Sequence, residues 1–229
     1  MRSLNLRAPR PTRLFHITAV ANLPAILAGG ALLSKNSGAA VGIDYQNIAH
    51  AGAQGARAVR AVPSPPGGVV HDFVPFYFAP RSPMLLAINS GRVTGCPWRQ
   101  ADIVYFETTV ESVTALGHPF VFYDRNATLA FSTPYTDISH LDSAVAWDLI
   151  TEAPQLDGYC RFWQSRPAEA RYADRMERRQ AEFLVRDHVP LNAMTRLGAI
   201  NAQLQTRIQD LLGHAGVPLR VDVMPAWYF

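Results

Sequence analysis

Glu182 interrupts the apolar run Ala181-Glu182-Phe183-Leu184-Val185. A carboxylate in such a run carries a burial penalty unless it is paired or employed. By strand alternation it shares a face with Leu184 and Arg186, opposite Ala181, Phe183 and Val185. Two readings follow. Glu182 is an edge-strand residue paired with Arg186 or a neighbouring arginine, or it stabilises a developing positive charge or takes a proton. His16, in Arg13-Leu14-Phe15-His16-Ile17-Thr18, poses the same choice: a satisfied core histidine, or a hydrogen-bond donor that orients a nucleotide sugar. Arg57 has the planar fork that clamps a diphosphate, although it is one of twenty arginines. The stretch from His71 to Ile88 concentrates aromatics, prolines, an arginine and a histidine. It reads as a strand turning into a helix at an arginine-bearing corner, a natural anion or nucleic-acid contact or simply a buried strand with a well-capped turn.

Several chemistries find no support. The seven histidines are scattered, without HExxH or CxxC company, so no catalytic metal is expected. No GxSxG elbow, P-loop or GxGxxG occurs. The two cysteines, Cys96 and Cys160, read as unpaired thiols of a reducing cytoplasm. No apolar run reaches membrane-spanning length, and the arginine-bearing N-terminus lacks the apolar core of a signal peptide. Twenty arginines against the single Lys35, at a net charge of +3, permit a nucleic-acid partner without requiring one.

The elements that position these groups are short. Strands are expected at 13–18, 31–34, 73–78, 103–108, 120–123 and 180–185, with a last strand over 219–229. Short helices are expected after Asn22 up to the Gly29-Gly30 stop, near 54–62, at 84–89 behind the Ser82 cap and Pro83, and at 110–116 behind Thr109. Leu141, Val145, Leu149 and Ile150 suit one helical face. Residues 161–180, with arginines set against Glu169, Asp174 and Glu177, read as a solvated mixed-charge helix. Ile200, Leu204, Ile208, Leu211 and Leu212 mark an amphipathic helix ending at Gly213. At 229 residues the chain is one α+β domain, with a mixed or split sheet.

FHIT, NLPAIL with its Gly-Gly stop, VHDFVPFYFAPRSPML and QAEFLV together resemble the DarT family, across nearly the whole chain. DarT proteins are bacterial toxins that ADP-ribosylate DNA. The resemblance implies a split-sheet ADP-ribosyltransferase fold with NAD⁺ as co-substrate in the cleft between the sheet halves. It implies transfer of ADP-ribose to a base of single-stranded DNA, thymine in the best-known branch and guanine in another, with release of nicotinamide. It implies a DarG-like macrodomain antitoxin as partner, no membrane, a monomer and a cytoplasmic setting. Glu182 matches the catalytic glutamate, and the essential arginine falls at Arg57 or Arg60. His16, Ile17, Thr18, Asn22, Leu33, Tyr45 and Arg57 are the expected NAD⁺ contacts. Residues 35–62 would fold over NAD⁺, and about 119–182 would hold the substrate-recognition loop. His71, Tyr77, Arg81, Met84 and Arg175 are the expected DNA contacts. An ADP-ribosyltransferase acting on RNA or protein, and a catalytically silent nucleotide-binding module, are the rival readings.

Overall fold

The computed structural model describes residues 7–49 and 51–229. The elements follow one another as β1 (Arg13–Ala19), α1 (Leu23–Gly29), β2 (Ala31–Leu33), α2 (Lys35–Ala40), α3 (Ala51–Val59), β3 (Phe73–Tyr77), α4 (Pro83–Asn89), β4 (Ile103–Thr109), α5 (Val110–Thr114), β5 (Phe120–Tyr123) and β6 (Pro134–Tyr135). Then come α6 (Leu141–Ala144), α7 (Trp147–Ile150), β7 (Gln155–Leu156), β8 (Tyr159–Cys160), α8 (Arg175–Arg178), β9 (Glu182–Arg186), β10 (His188–Pro190), β11 (Arg196–Ala199), α9 (Ala202–Ala215) and β12 (Val221–Val223).

The central sheet has eight strands in the order β12-β11-β4-β1-β3-β9-β5-β6. It is divided in the middle. β1 pairs with β4 along its whole length, from Arg13↔Thr109 to Ala19↔Ile103, and β3 pairs with β9 from Phe73↔Arg186 to Tyr77↔Glu182. Between β1 and β3 the only register pair is Phe15↔Tyr77. Pro75 lies at this split and has no N–H to give to a ladder. Its carbonyl instead faces the His16 ring, with Nδ1 at 2.8 Å. The two halves thus part along β1 and β3, and an imidazole crosses the gap.

Each half has its own aromatic filling. Phe15, Tyr105 and Trp227 meet edge to face on the β1–β4 side, with ring centroids 5.1–6.3 Å apart. On the β9–β5 side Phe78 meets Phe122, Phe183 and Trp147 edge to face, while Phe122 and Phe183 lie parallel. Trp227 lies so close to Gly198 that a Cβ there would meet its ring at 2.2 Å, so β11 admits only glycine at that point. The caps act as the sequence implies. Ser82 accepts from the Leu85 N–H at 3.2 Å, Thr109 accepts from Ser112 at 3.0 Å, and Gly30 ends α1 with φ at +66°.

Four expectations need correction. Residues 161–180 form no continuous helix: a 3₁₀ turn at Ala170–Tyr172 and the single turn of α8 replace it, because Arg175 and Arg179 are drawn inside. Residues 141–150 form two single-turn helices, broken at Val145, whose backbone is extended. α9 runs past Gly213 and stops at Gly216, the residue that turns left-handed with φ at +65°. The tail is a strand only at Val221–Val223, and a 3₁₀ turn at Pro225–Trp227 then folds Trp227 under the sheet.

Candidate active site

Glu182 opens β9 with Tyr77 of β3 on one side and Tyr123 of β5 on the other. It is therefore central, not on an edge, and it is 1% exposed. Arg186 does not hold it; that guanidinium donates to the carbonyls of Pro66 and Gly67 at 3.1 and 3.2 Å. The partner is Arg57, at the end of α3, whose Nη1 lies 3.0 and 3.1 Å from the two carboxylate oxygens. Arg60 turns away and donates to the carbonyls of Ala127 and Leu129 at 3.2 and 3.1 Å. Of the two arginines that the sequence left open, Arg57 is the one that reaches the carboxylate.

Asn126 is a member of the site that the sequence reading missed. Its Oδ1 accepts from the Thr128 N–H and hydroxyl at 3.0 and 2.7 Å, which leaves Nδ2 to donate to Glu182 Oε1 at 3.2 Å. The Tyr77 phenol faces the same carboxylate; burial first, then the charge of Glu182, pushes its pKa above the ordinary tyrosine value. Burial opposes the charge on Arg57, but Glu182 and the neighbouring phenols outweigh it, and the arginine pKa is raised. Its Nη2 is buried without a partner, a donor left over for a ligand.

Glu182, Arg57 and Tyr77 share a cleft of about 200 Å³ at the split of the sheet. His16, Ile17, Thr18, Asn22, Leu33, Tyr45 and Arg57 all line it, together with Glu182. Burial, reinforced by Arg57, pushes the His16 pKa down to about 4, so the ring is neutral. With Nδ1–H donated to Pro75, the remaining nitrogen is a hydrogen-bond acceptor, not the donor the sequence reading assigned. Asn22 acts first on the chain itself. Its Oδ1 accepts from the Gln46 N–H at 2.7 Å, and its Nδ2 donates to the Gln46 carbonyl at 3.0 Å and to Thr18 Oγ1 at 2.8 Å. A buried amide thereby fastens the segment that carries Tyr45 over the cleft. Lys35, Gln54 and Gln46 are further lining residues without a sequence signal.

The five expected DNA contacts do not share one surface. His71, Tyr77 and Met84 line the same cleft as Glu182. The Nε2 of His71 meets Gln54 at 2.9 Å, and burial, then Lys35 and Arg57, lower its pKa. Arg81, in a left-handed corner at φ +61°, donates to the Arg161 carbonyl at 2.9 Å and lies 4.5 Å from the centre of the Phe229 ring. Arg175 is 2% exposed, pairs with Glu152 and stacks on Tyr172 at 3.9 Å, so it has no guanidinium to offer a phosphate. Among the described residues, no cluster of His, Cys, Asp or Glu could hold a metal ion, and no helix is long and apolar enough to cross a membrane.

The sequence and the fold have counterparts. The chain is 34% identical over 224 residues to a DNA ADP-ribosyl transferase of Thermus sp. (strain 2.9), covering 96% of this chain and 98% of that one. Its fold superposes on Thermus sp. 2.9 DarT in complex with ADP-ribosylated ssDNA with a TM-score of 0.85, at 31% identity, covering 98% and 99% of the two chains. The complex of the same enzyme with NAD⁺ gives a TM-score of 0.81 at 30% identity, covering 97% and 100%. The family model described as "ssDNA thymidine ADP-ribosyltransferase, DarT" matches residues 15–229, which takes in the split sheet, the cleft and the Arg57–Glu182 pair. The chain belongs to the DarT family of NAD-dependent DNA ADP-ribosyltransferases.

Proposed function

We propose that this chain transfers ADP-ribose from NAD⁺ to thymine in single-stranded DNA, with Glu182 and Arg57 as its catalytic residues. The observation that carries the assignment is a buried carboxylate, fixed by Arg57 and Asn126, at the end of a cleft between two half-sheets. The reaction is a glycosyl transfer, not a nucleotidyl transfer. The bond from ribose C1′ to the nicotinamide nitrogen breaks, nicotinamide leaves neutral, and C1′ bonds to a thymine ring nitrogen.

Positive charge builds on the ribose as that bond lengthens, as in glycoside hydrolysis. A carboxylate held in place beforehand stabilises the charge without having to reorganise. The unpartnered Nη2 of Arg57 is a donor for the diphosphate or for the thymine oxygen, and the free nitrogen of His16 can accept from a ribose hydroxyl. The thymine nitrogen must lose its proton. Glu182 takes it, because a guanidinium with a pKa above about 12 is a poor base. Arg57 favours ionisation of the thymine by stabilising its anion. The segment fastened by Asn22 lies over the cleft and would help to hold NAD⁺ there.

The same family membership supports a toxin acting as a monomer in the bacterial cytoplasm, neutralised by a DarG-like macrodomain antitoxin that removes the mark. Incubation with labelled NAD⁺ and oligonucleotides tests the reading. Label is expected on single strands that contain thymine and not on strands that lack it. Labelling of a thymine-free, guanine-bearing strand instead would move the chain to the guanine branch, and no label on any strand overturns the assignment.

A further inference from the structure

The loop between β5 and β6, residues 124–133, is rigidly held and yet displays an aromatic ring. Asp124 accepts from the Thr133 N–H at 2.8 Å and closes the loop at its base. Arg60 holds the Ala127 and Leu129 carbonyls, and Asn126 caps Thr128 while touching Glu182. Phe131, on the same loop, is 59% exposed, the most exposed aromatic of the described residues. The Arg125 guanidinium lies over one face of the ring, 5.7 Å from its centre. Arg125 also lines a cleft of about 600 Å³ whose walls set Arg7, Arg125 and Arg178 against Asp124, Asp142 and Asp148, and which contains neither Glu182 nor Arg57.

A single exposed phenylalanine is ordinary on a protein surface. What sets Phe131 apart is that the loop presenting it is fixed at both ends and contributes Asn126 to the active carboxylate. We propose that Phe131 is a stacking platform for the base next to the modified one. The inference rests on single-stranded DNA being the acceptor. A strand whose reacting base lies against Glu182 has to leave the site across an adjoining loop, and the 124–133 loop adjoins it through Asn126. Stacking on a ring is available to any base, so it can hold a flanking nucleotide without reading it. A cation over one face of an exposed ring leaves the other face for that contact.

The full-length chain, Phe131→Ala and Phe131→Trp test this by anisotropy with a labelled thymine-containing single strand, alongside calorimetry with NAD⁺. Phe131→Ala is expected to weaken oligonucleotide binding by about 5- to 150-fold, the range that one stacked base supplies. Phe131→Trp should restore it, and NAD⁺ affinity should stay within about twofold. Abasic sites introduced one at a time locate the stacked base: one flanking position should weaken binding to the wild type and leave Phe131→Ala unaffected. Equal oligonucleotide affinity in wild type and Phe131→Ala overturns the proposal and would leave the ring free for a protein partner. A matching loss of NAD⁺ affinity overturns it too, by marking the ring as merely structural. Binding is read without transfer, so a wild type that binds the strand and makes no product counts against the reaction and not against the platform.

Discussion

Two carboxylates are buried in the central sheet, one in each half, and both are held by arginine. Glu107 on β4 is 4% exposed and lies between Arg13 of β1 and Arg196 of β11, its neighbouring strands. Those guanidinia are shared out further, Arg13 to Asp157 and Arg196 to Asp222. Arg13 and Arg196 also lie over the Trp227 ring, at 5.5 and 5.2 Å. The network is closed by strands and aromatic rings. Glu182 has the opposite surroundings. Its arginine comes from α3, its amide from the 124–133 loop, and it borders a cleft. Arg57 keeps a buried N–H without a partner. Burial and ion pairing alone therefore do not mark a functional carboxylate. What differs is whether the partners belong to the rigid sheet or to loops that a ligand can displace, and whether a donor is left over.

The contrast can be broken from either side. The largest expected effect on stability is at the closed network. Glu107→Gln leaves two guanidinia without their shared anion and should cost about 3–5 kcal/mol in denaturant unfolding, with activity per folded molecule unchanged. A loss of turnover without loss of stability would erase the distinction.

His16 sharpens it, because that ring joins the halves. Its folded pKa is about 4 against 6.5 in the unfolded chain, so between those values the unfolded state binds a proton that the folded state does not. Stability should be fully present above about pH 6.5 and fall by up to about 3 kcal/mol as pH drops toward 4. Denaturation midpoints at pH 7 and 4.5 should converge more in His16→Asn than in the wild type; an identical slope in both would remove His16 from the account.

Arg57→Lys keeps the charge and loses the fork. It should lower kcat/KM by about 10- to 100-fold, in line with the loss of the second donor, the unpartnered Nη2, while one nitrogen can still pair with Glu182. Wild-type activity in the lysine variant would contradict the role given to the planar group. The smallest effect is expected at Asn22. Asn22→Ala removes two backbone anchors of the covering segment and should raise the KM for NAD⁺ about 5- to 10-fold with little change in kcat. An unchanged KM would show that the segment holds itself.

Where residue type matched environment, the sequence was readable. Alternation placed β1, β3, β4 and β5 within a residue or two, since each buries at least one face against a neighbour. Glu182 was visible as a carboxylate in an apolar run, and the NAD⁺ contacts expected from the family motifs do line one cleft. Other features had no such mark. Asn126 belongs to Asp124-Arg125-Asn126, which reads as an ordinary turn, and its value lies in a contact 56 residues away in sequence. Residues 161–180 carry charges at helical spacing, but Arg175 and Arg179 are taken inside by Glu152, by the Cys160 and Phe162 carbonyls and by the Tyr172 and Trp163 rings. Charge spacing cannot reveal partners that arrive from other segments. Strand alternation likewise gave no way to tell that His71 and Tyr77 line the same cleft as Glu182.

The most direct test of Glu182 as the transition-state group is to measure NAD⁺ affinity and single-turnover ADP-ribose transfer to a thymine-bearing strand in the same preparation of Glu182→Gln. NAD⁺ affinity near that of the wild type with transfer reduced by about 10³-fold or more is the predicted result, because the carboxylate acts on charge that exists only in the transition state. Transfer at the wild-type rate in this variant would contradict the account.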